Sequence, residues 1–154
     1  MIKLCPATAK HVEAVAANLR HSDDLECRYA YGISGAEALR EAVRVSHIVH
    51  SICAENDEAL GVCGLNGSIV WLLATDALTA TPERRRALAL QGRRWIDKLL
   101  ADKEEAGHYP MVENWVFAAN VESLEWLRAM GFHIETAQPI GPSKQLFSNA
   151  WRSL

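Results

Sequence analysis

The sequence has no apolar run approaching the roughly 20 residues that a bilayer-crossing helix needs. Met1 to Lys10 lacks a basic segment followed by a long apolar one, so neither secretion nor contact with a membrane is expected. No charge of one sign dominates: 16 Lys and Arg stand against 19 Asp and Glu, for a formal net charge of -3. With a pI near 6.1, the surface as a whole is unsuited to nucleic acid, and no nucleic-acid partner is expected. The four cysteines, Cys5, Cys27, Cys53 and Cys63, show no CxxC pair, and no zinc-like Cys/His cluster is expected. They read as reduced, mostly buried thiols, which suits a cytosol and implies no metal site. His47 and His50 are three apart in a strand candidate and so face opposite ways, while His21, His108 and His133 form no constellation. Repeats, low-complexity tracts and linkers are absent too. At 154 residues and 49% apolar composition, the expectation is one domain over residues 1–154, large enough for a real core.

What is present reads as alternating strands and capped helices. Ile2 to Cys5 is extended and stops at Pro6; Thr8 then caps a helix to about Arg20, with Val12, Val15, Ala16 and Leu19 on one face. His21 to Gly32 has no clean period and is expected to be an exposed, irregular segment or a short helical turn. Ser34 with Glu37 makes a capping box, and Ala38, Leu39, Ala42 and Val43 give the following helix its buried stripe. His47 to Ala54 and Ala59 to Leu65 read as strands. Asn66-Gly67 predicts a type I′ hairpin turn, where positive φ is needed at both central residues. The near-continuous apolar strand Ser68 to Ala74 should be central, with both faces covered. Thr81-Pro82-Glu83 opens a long helix to about Glu105, since Thr caps, Pro needs no N–H there, and Glu suits the positive helix end.

Met111 to Phe132 packs two periods into one stretch: a buried strand around Val112, Trp115, Val116 and Phe117, then a helix capped by Asn120 and closed by Gly131. His133 to Gln138 is a further strand, Pro139 to Pro142 a turn, and Lys144 to Arg152 the last strand. The order βααβββαβαββ predicts an α/β mixed sheet with helices on both faces.

This order resembles that of the GCN5-related N-acetyltransferase (GNAT) superfamily over nearly the whole chain. The segment Asn120 to Phe132 looks like that family's strand-to-helix motif, in which an Asn opens the helix and Gly-Phe closes it. Trp71 to Asp76 together with Asn114 to Asn120 is similar to a phage-encoded branch, some of whose members are described as internal virion or assembly proteins. The resemblance implies a GNAT-like acyl-CoA N-acyltransferase fold, in which two parallel strands splay around acetyl-coenzyme A and an amine attacks the thioester. The amine would belong to a small molecule or a protein in a bacterial or phage-infected cytoplasm. The alternative is an inactive member that binds phage structural proteins, in the virion or during assembly; a homodimer is compatible with either.

On this resemblance the cleft strands are Val70 to Thr75 and Val112 to Ala119. Ala74 and Thr75 would offer backbone N–H groups to the pantetheine arm, Arg84, Arg85 and Arg86 would meet the pyrophosphate, and Asn120 would reach the cofactor cleft. Asp76 and Glu113 are candidate bases, Tyr109 a candidate acid, and Asp24, Glu26 and Tyr29 would border the acceptor, where carboxylates attract a cationic amine. Two regions depart from the family pattern. Arg86, Leu88 and Leu90 stand where small residues let backbone N–H groups cradle pyrophosphate, and Leu127 replaces the usual tyrosine acid. Neighbouring Trp126 is expected on a different helical face.

Overall fold

The computed structural model describes all 154 residues. In order they form β1 (Ile2–Pro6), α1 (Ala9–Ala17), α2 (His21–Tyr31), α3 (Gly35–Val45), β2 (Ile48–Ala54), β3 (Ala59–Asn66) and β4 (Ile69–Ala74). A 3-10 turn at Asp76–Thr79 leads to α4 (Pro82–Glu105), β5 (Met111–Phe117), α5 (Val121–Ala129), β6 (His133–Ile134), β7 (Gln138–Ile140) and β8 (Gln145–Ser153). The strands make one mixed sheet in the order β1-β2-β3-β4-β5-β8-β6, with β7 also paired to β8. All neighbours are antiparallel except β4 and β5.

Local capping chemistry starts the helices where expected. Thr8 Oγ1 accepts from His11 N–H, Ser34 Oγ from Glu37 N–H, Thr81 Oγ1 from Arg84 N–H, and Asn120 Oδ1 from Ser123 N–H. Helices cover both faces of the sheet. Ile96, Leu99 and Leu100 of α4 and Leu124 of α5 pack with Val70, Val112 and Val116 on one side. Val12 and Val15 of α1 and Leu39 of α3 pack with Val62 and Leu73 on the other. β4 thus sends Val70 and Leu73 into opposite cores, as its apolar run demands.

Three expectations need correcting. His21 to Tyr31 is an 11-residue helix, neither an irregular segment nor a short helical turn. Its period was hidden because its inward residues include Asp23 and Cys27, so a hydrophobic stripe never forms. The hairpin exists but turns at Gly67-Ser68: Asn66 pairs with Ile69, and Gly67 alone takes positive φ (+61°), the pattern of a type II′ turn. Finally, Pro139 lies in β7 rather than in a turn; β7 pairs only with β8, and a proline is tolerated on such an edge.

Candidate active site

The site is a break in the sheet. β4 and β5 run parallel but share a single register pair, Ile69 with Glu113, and Glu113 N–H donates to Ser68 O at 2.8 Å. One residue later the Asn114 side chain takes over from the ladder: its Nδ2 donates to Val70 O at 2.7 Å and its Oδ1 accepts from Trp115 N–H at 2.7 Å. Beyond that point the strands diverge, leaving the backbone edges of Ala74 and Phe117 unpaired with each other.

Helix α2 and the residue before it lie across the gap and satisfy both edges. Asp23 Oδ2 accepts from Ala74 N–H at 2.9 Å, Ala74 O accepts from Arg20 N–H at 2.9 Å, and Glu26 Oε1 accepts from Phe117 N–H at 2.5 Å. The Arg20 guanidinium forks onto Asp23 at 2.8 and 3.2 Å, a buried pair holding α2 to the strand. Between the sheet and α4 and α5 lies a cleft of about 140 Å³ that runs through the splay to these acidic residues. Val70, Leu72, Leu88, Trp95, Trp126 and Leu127 make it apolar; Asp23, Glu26, Gln91 and Asn114 are among its polar groups.

This setting changes how the acids titrate. Burial pushes the Glu26 carboxyl up to about 7, opposed by the Phe117 N–H. Burial also raises Asp23, against the pull of Arg20 and of Ala74 N–H. Glu26 is therefore the group in the cleft poised to exchange a proton near neutrality.

The overall fold recurs in solved structures. An N-acetyltransferase from Staphylococcus aureus Mu50 superposes with a TM-score of 0.61 at 11% identity, over 99% of this chain and 97% of that one. The spermidine N-acetyltransferase from Vibrio cholerae in complex with CoA and spermine gives 0.65 at 10% identity, over 98% and 94%. RimL, a ribosomal alpha-N-protein acetyltransferase in complex with coenzyme A, gives 0.63 at 12% identity, over 99% and 94%. The chain has the GNAT fold. No family model matches the sequence, and no curated protein sequence matches it.

Within the GNAT fold the residues singled out from sequence scatter. Glu26 lines the cleft. Asp24 turns away: it pairs with Arg28 and accepts from Gly35 N–H at 2.7 Å, locking α2 to the start of α3. Tyr29 packs its ring on Phe117, centroids 5.2 Å apart, behind the β5 side of the splay. Asp76 is exposed at the start of the 3-10 turn, near enough to Asp23 to raise it further. Glu113 sits at the closed end of the splay and Tyr109, 75% exposed, precedes β5 at that same end; neither lines the cleft. Asn120 caps α5 and keeps a buried Nδ2 without a partner. Trp126, expected off the cleft face, lines it beside Leu127, with its indole N–H buried and unpartnered. Sequence reasoning missed Asp23, Arg20 and Asn114 as site-builders. Asn114 had no signal beyond a polar residue inside an apolar strand.

Acetyl-coenzyme A, which the GNAT fold implies, suits one end of this cleft and not the other. The apolar channel and the free Trp126 N–H fit an acyl thioester. At the diphosphate end, Leu88 is buried at 5% exposure in one cluster with Ala74 and Leu78, where a bare backbone would be needed. Arg84 and Arg85 fold back onto the preceding turn, donating to Ala77 O at 2.6 Å and Thr79 O at 2.8 Å, while Arg86 faces Glu83 at 3.8 Å. Ala74 has given its N–H to Asp23, and Thr75 N–H goes to Leu60 O at 2.9 Å, so neither is offered to a pantetheine arm. The start of α4 is closed on itself, and the cradle for a diphosphate does not fit.

Proposed function

We propose that the chain is an N-acyltransferase that receives an amine at the α2 side of the splay, with Glu26 as its base. One observation carries this reading: a carboxyl held at the inner end of an apolar cleft, with its pKa near 7, where an ammonium must lose a proton before it can attack. The Glu26 carboxylate, steadied by the Phe117 N–H, attracts an entering ammonium and takes its proton. The Arg20–Asp23 pair stays in place and keeps α2 across the gap. An acyl donor would supply the activated acyl carbon, and the buried, unpartnered Trp126 indole N–H would bond an oxygen or sulfur that gains charge. Spermidine and a protein α-amine are the acceptors named for two fold neighbours, and an amine of either kind comes to this chain as our proposal. The bases weighed from sequence, Asp76 and Glu113, take no part in it because they do not line the cleft.

The closed start of α4 favours a second reading: a non-catalytic module of the same fold, serving phage assembly or another protein partner. Calorimetric titration with acetyl-coenzyme A and coenzyme A, paired with mass spectrometry of spermidine and peptide N-termini after incubation, separates the two. Saturable binding and an acetylated amine, lost in Glu26→Gln, support the enzyme. No heat and no product from a folded chain leave the module.

A further inference from the structure

On the face of the sheet away from the cleft, residues far apart in sequence meet at the β1 edge. The β1–β2 register sets Cys5 opposite Ser51 and Lys3 opposite Cys53, so all four side chains share one face, and α1 lays His11 over it. Cys5 Sγ lies 3.0 Å from Cys53 Sγ, and Cys53 Sγ lies 3.9 Å from His11 Nε2. All three ligand atoms fall within 4.8 Å of one another. The expectation that no cysteine–histidine cluster exists is thereby corrected; no spacing rule could show it, because strand register and not a local motif assembles it.

One further atom points the same way. Ser51 is fully buried, directly opposite Cys5, and its Oγ has no hydrogen-bond partner. A packet of two thiols, an imidazole and an unsatisfied hydroxyl is costly to leave empty, since buried polar atoms are normally paired.

We propose that Cys5, Cys53 and His11 bind a single zinc-class divalent cation, with water or the Ser51 hydroxyl as fourth ligand. Soft thiolates with an imidazole select Zn²⁺ over Mg²⁺ or Ca²⁺. Tetrahedral zinc with Zn–S of about 2.3 Å and Zn–N of about 2.0 Å needs S···S near 3.8 Å and S···N near 3.5 Å. The thiols therefore open by less than about 1 Å, within reach of small side-chain rotations. On binding, each thiol gives its proton to solvent, the imidazole binds neutral, and two thiolate charges balance the ion. A disulfide between the same cysteines is the rival. The two are diagonal across an antiparallel pair, where Cα atoms stand about 7–8 Å apart, beyond the usual disulfide span of about 4.4–6.8 Å. It would also leave Ser51 Oγ orphaned.

The test uses the full chain, fully reduced in a non-chelating phosphine and stripped of metal. Titration with Co²⁺ should give one equivalent with thiolate-to-cobalt absorption in the near ultraviolet, displaced by Zn²⁺, and Zn²⁺ should raise Tm. Cys5→Ser and His11→Gln alter half-exposed positions, and a circular dichroism spectrum checks that each variant is folded. Each should lose the charge-transfer band or weaken binding at least tenfold, because even outer-shell partners carry about 10–100-fold. Reduced, folded wild type that binds no cobalt overturns the site, as does cobalt binding unchanged in Cys5→Ser. Peroxide-driven closure of a Cys5–Cys53 disulfide in protein that binds no metal when reduced assigns the cluster to redox chemistry instead.

Discussion

The two ends of the cleft are built from opposite materials. At the α2 end, charged side chains reach across from a helix to strand edges that nothing else satisfies: Asp23 on Ala74, Glu26 on Phe117. At the α4 end, where a nucleotide cofactor would need free backbone, side chains have closed the loop: Leu88 fills the space and two arginines bond back to Ala77 and Thr79. One end keeps a proton-exchanging group in an apolar setting; the other has spent its donors on its own architecture. The scaffold is that of the GNAT fold, and the α4 end departs from the pattern that the resemblance implies.

Breaking the α2 end should have the largest effect. If Glu26 takes the amine's proton, Glu26→Gln lowers kcat/KM by about 10²–10⁴-fold, while the Gln carbonyl still accepts from Phe117 N–H. Amine acetylation measured over a pH range should rise through about 7 in the wild type and lose that rise in the variant. Equal rates would move the base elsewhere.

Asp23→Ala strikes the same end through stability. It strips a buried Arg20 of its partner and leaves Ala74 N–H unmet, and removing one member of a buried ion pair costs about 3–5 kcal/mol. Urea denaturation reads the loss. A loss below about 1 kcal/mol would mean that water replaces the carboxylate and that α2 is not pinned to β4 as described.

How much of this contrast the sequence carried depends on how local each cause is. Thr8, Ser34, Thr81 and Asn120 cap helices through bonds three residues away, so residue type alone located them. Leu88 and Leu127 were readable as departures because the family pattern fixes what should stand there. Helix α2 was not readable, since an inward face of Asp23 and Cys27 erases the hydrophobic period. The splay at Asn114, the partnership of Glu26 with Phe117 and the meeting of Cys5, His11 and Cys53 depend on pairings across 44, 91 and up to 48 residues. Local pattern cannot encode such distances.

Opening the α4 end sharpens the comparison from the other side. Leu88→Ala removes a side chain packed among Ala74, Leu78 and Ile2, at about 2–5 kcal/mol of stability. If the closed cradle is what limits a diphosphate, the variant should bind coenzyme A more tightly than wild type in calorimetry, despite being less stable. Unchanged binding would place the obstacle in the folded-back arginines or in the occupied N–H of Ala74.

The smallest effect is a pH dependence, and it isolates Glu26 from any question of turnover. The folded chain holds this carboxyl near 7 against an ordinary 4.5, so between those values it binds a proton that the unfolded chain has released. The stability tied to that proton is full below pH 4.5 and is lost as pH rises through 7, by no more than about 3 kcal/mol. Glu26→Gln has no proton to lose. In urea denaturation the wild type should fall relative to the variant as pH goes from 5 to 8. Parallel curves across that window would mean that Glu26 ionises as freely as a surface acid; the contrast between the two ends would then be one of shape alone, without a base at either.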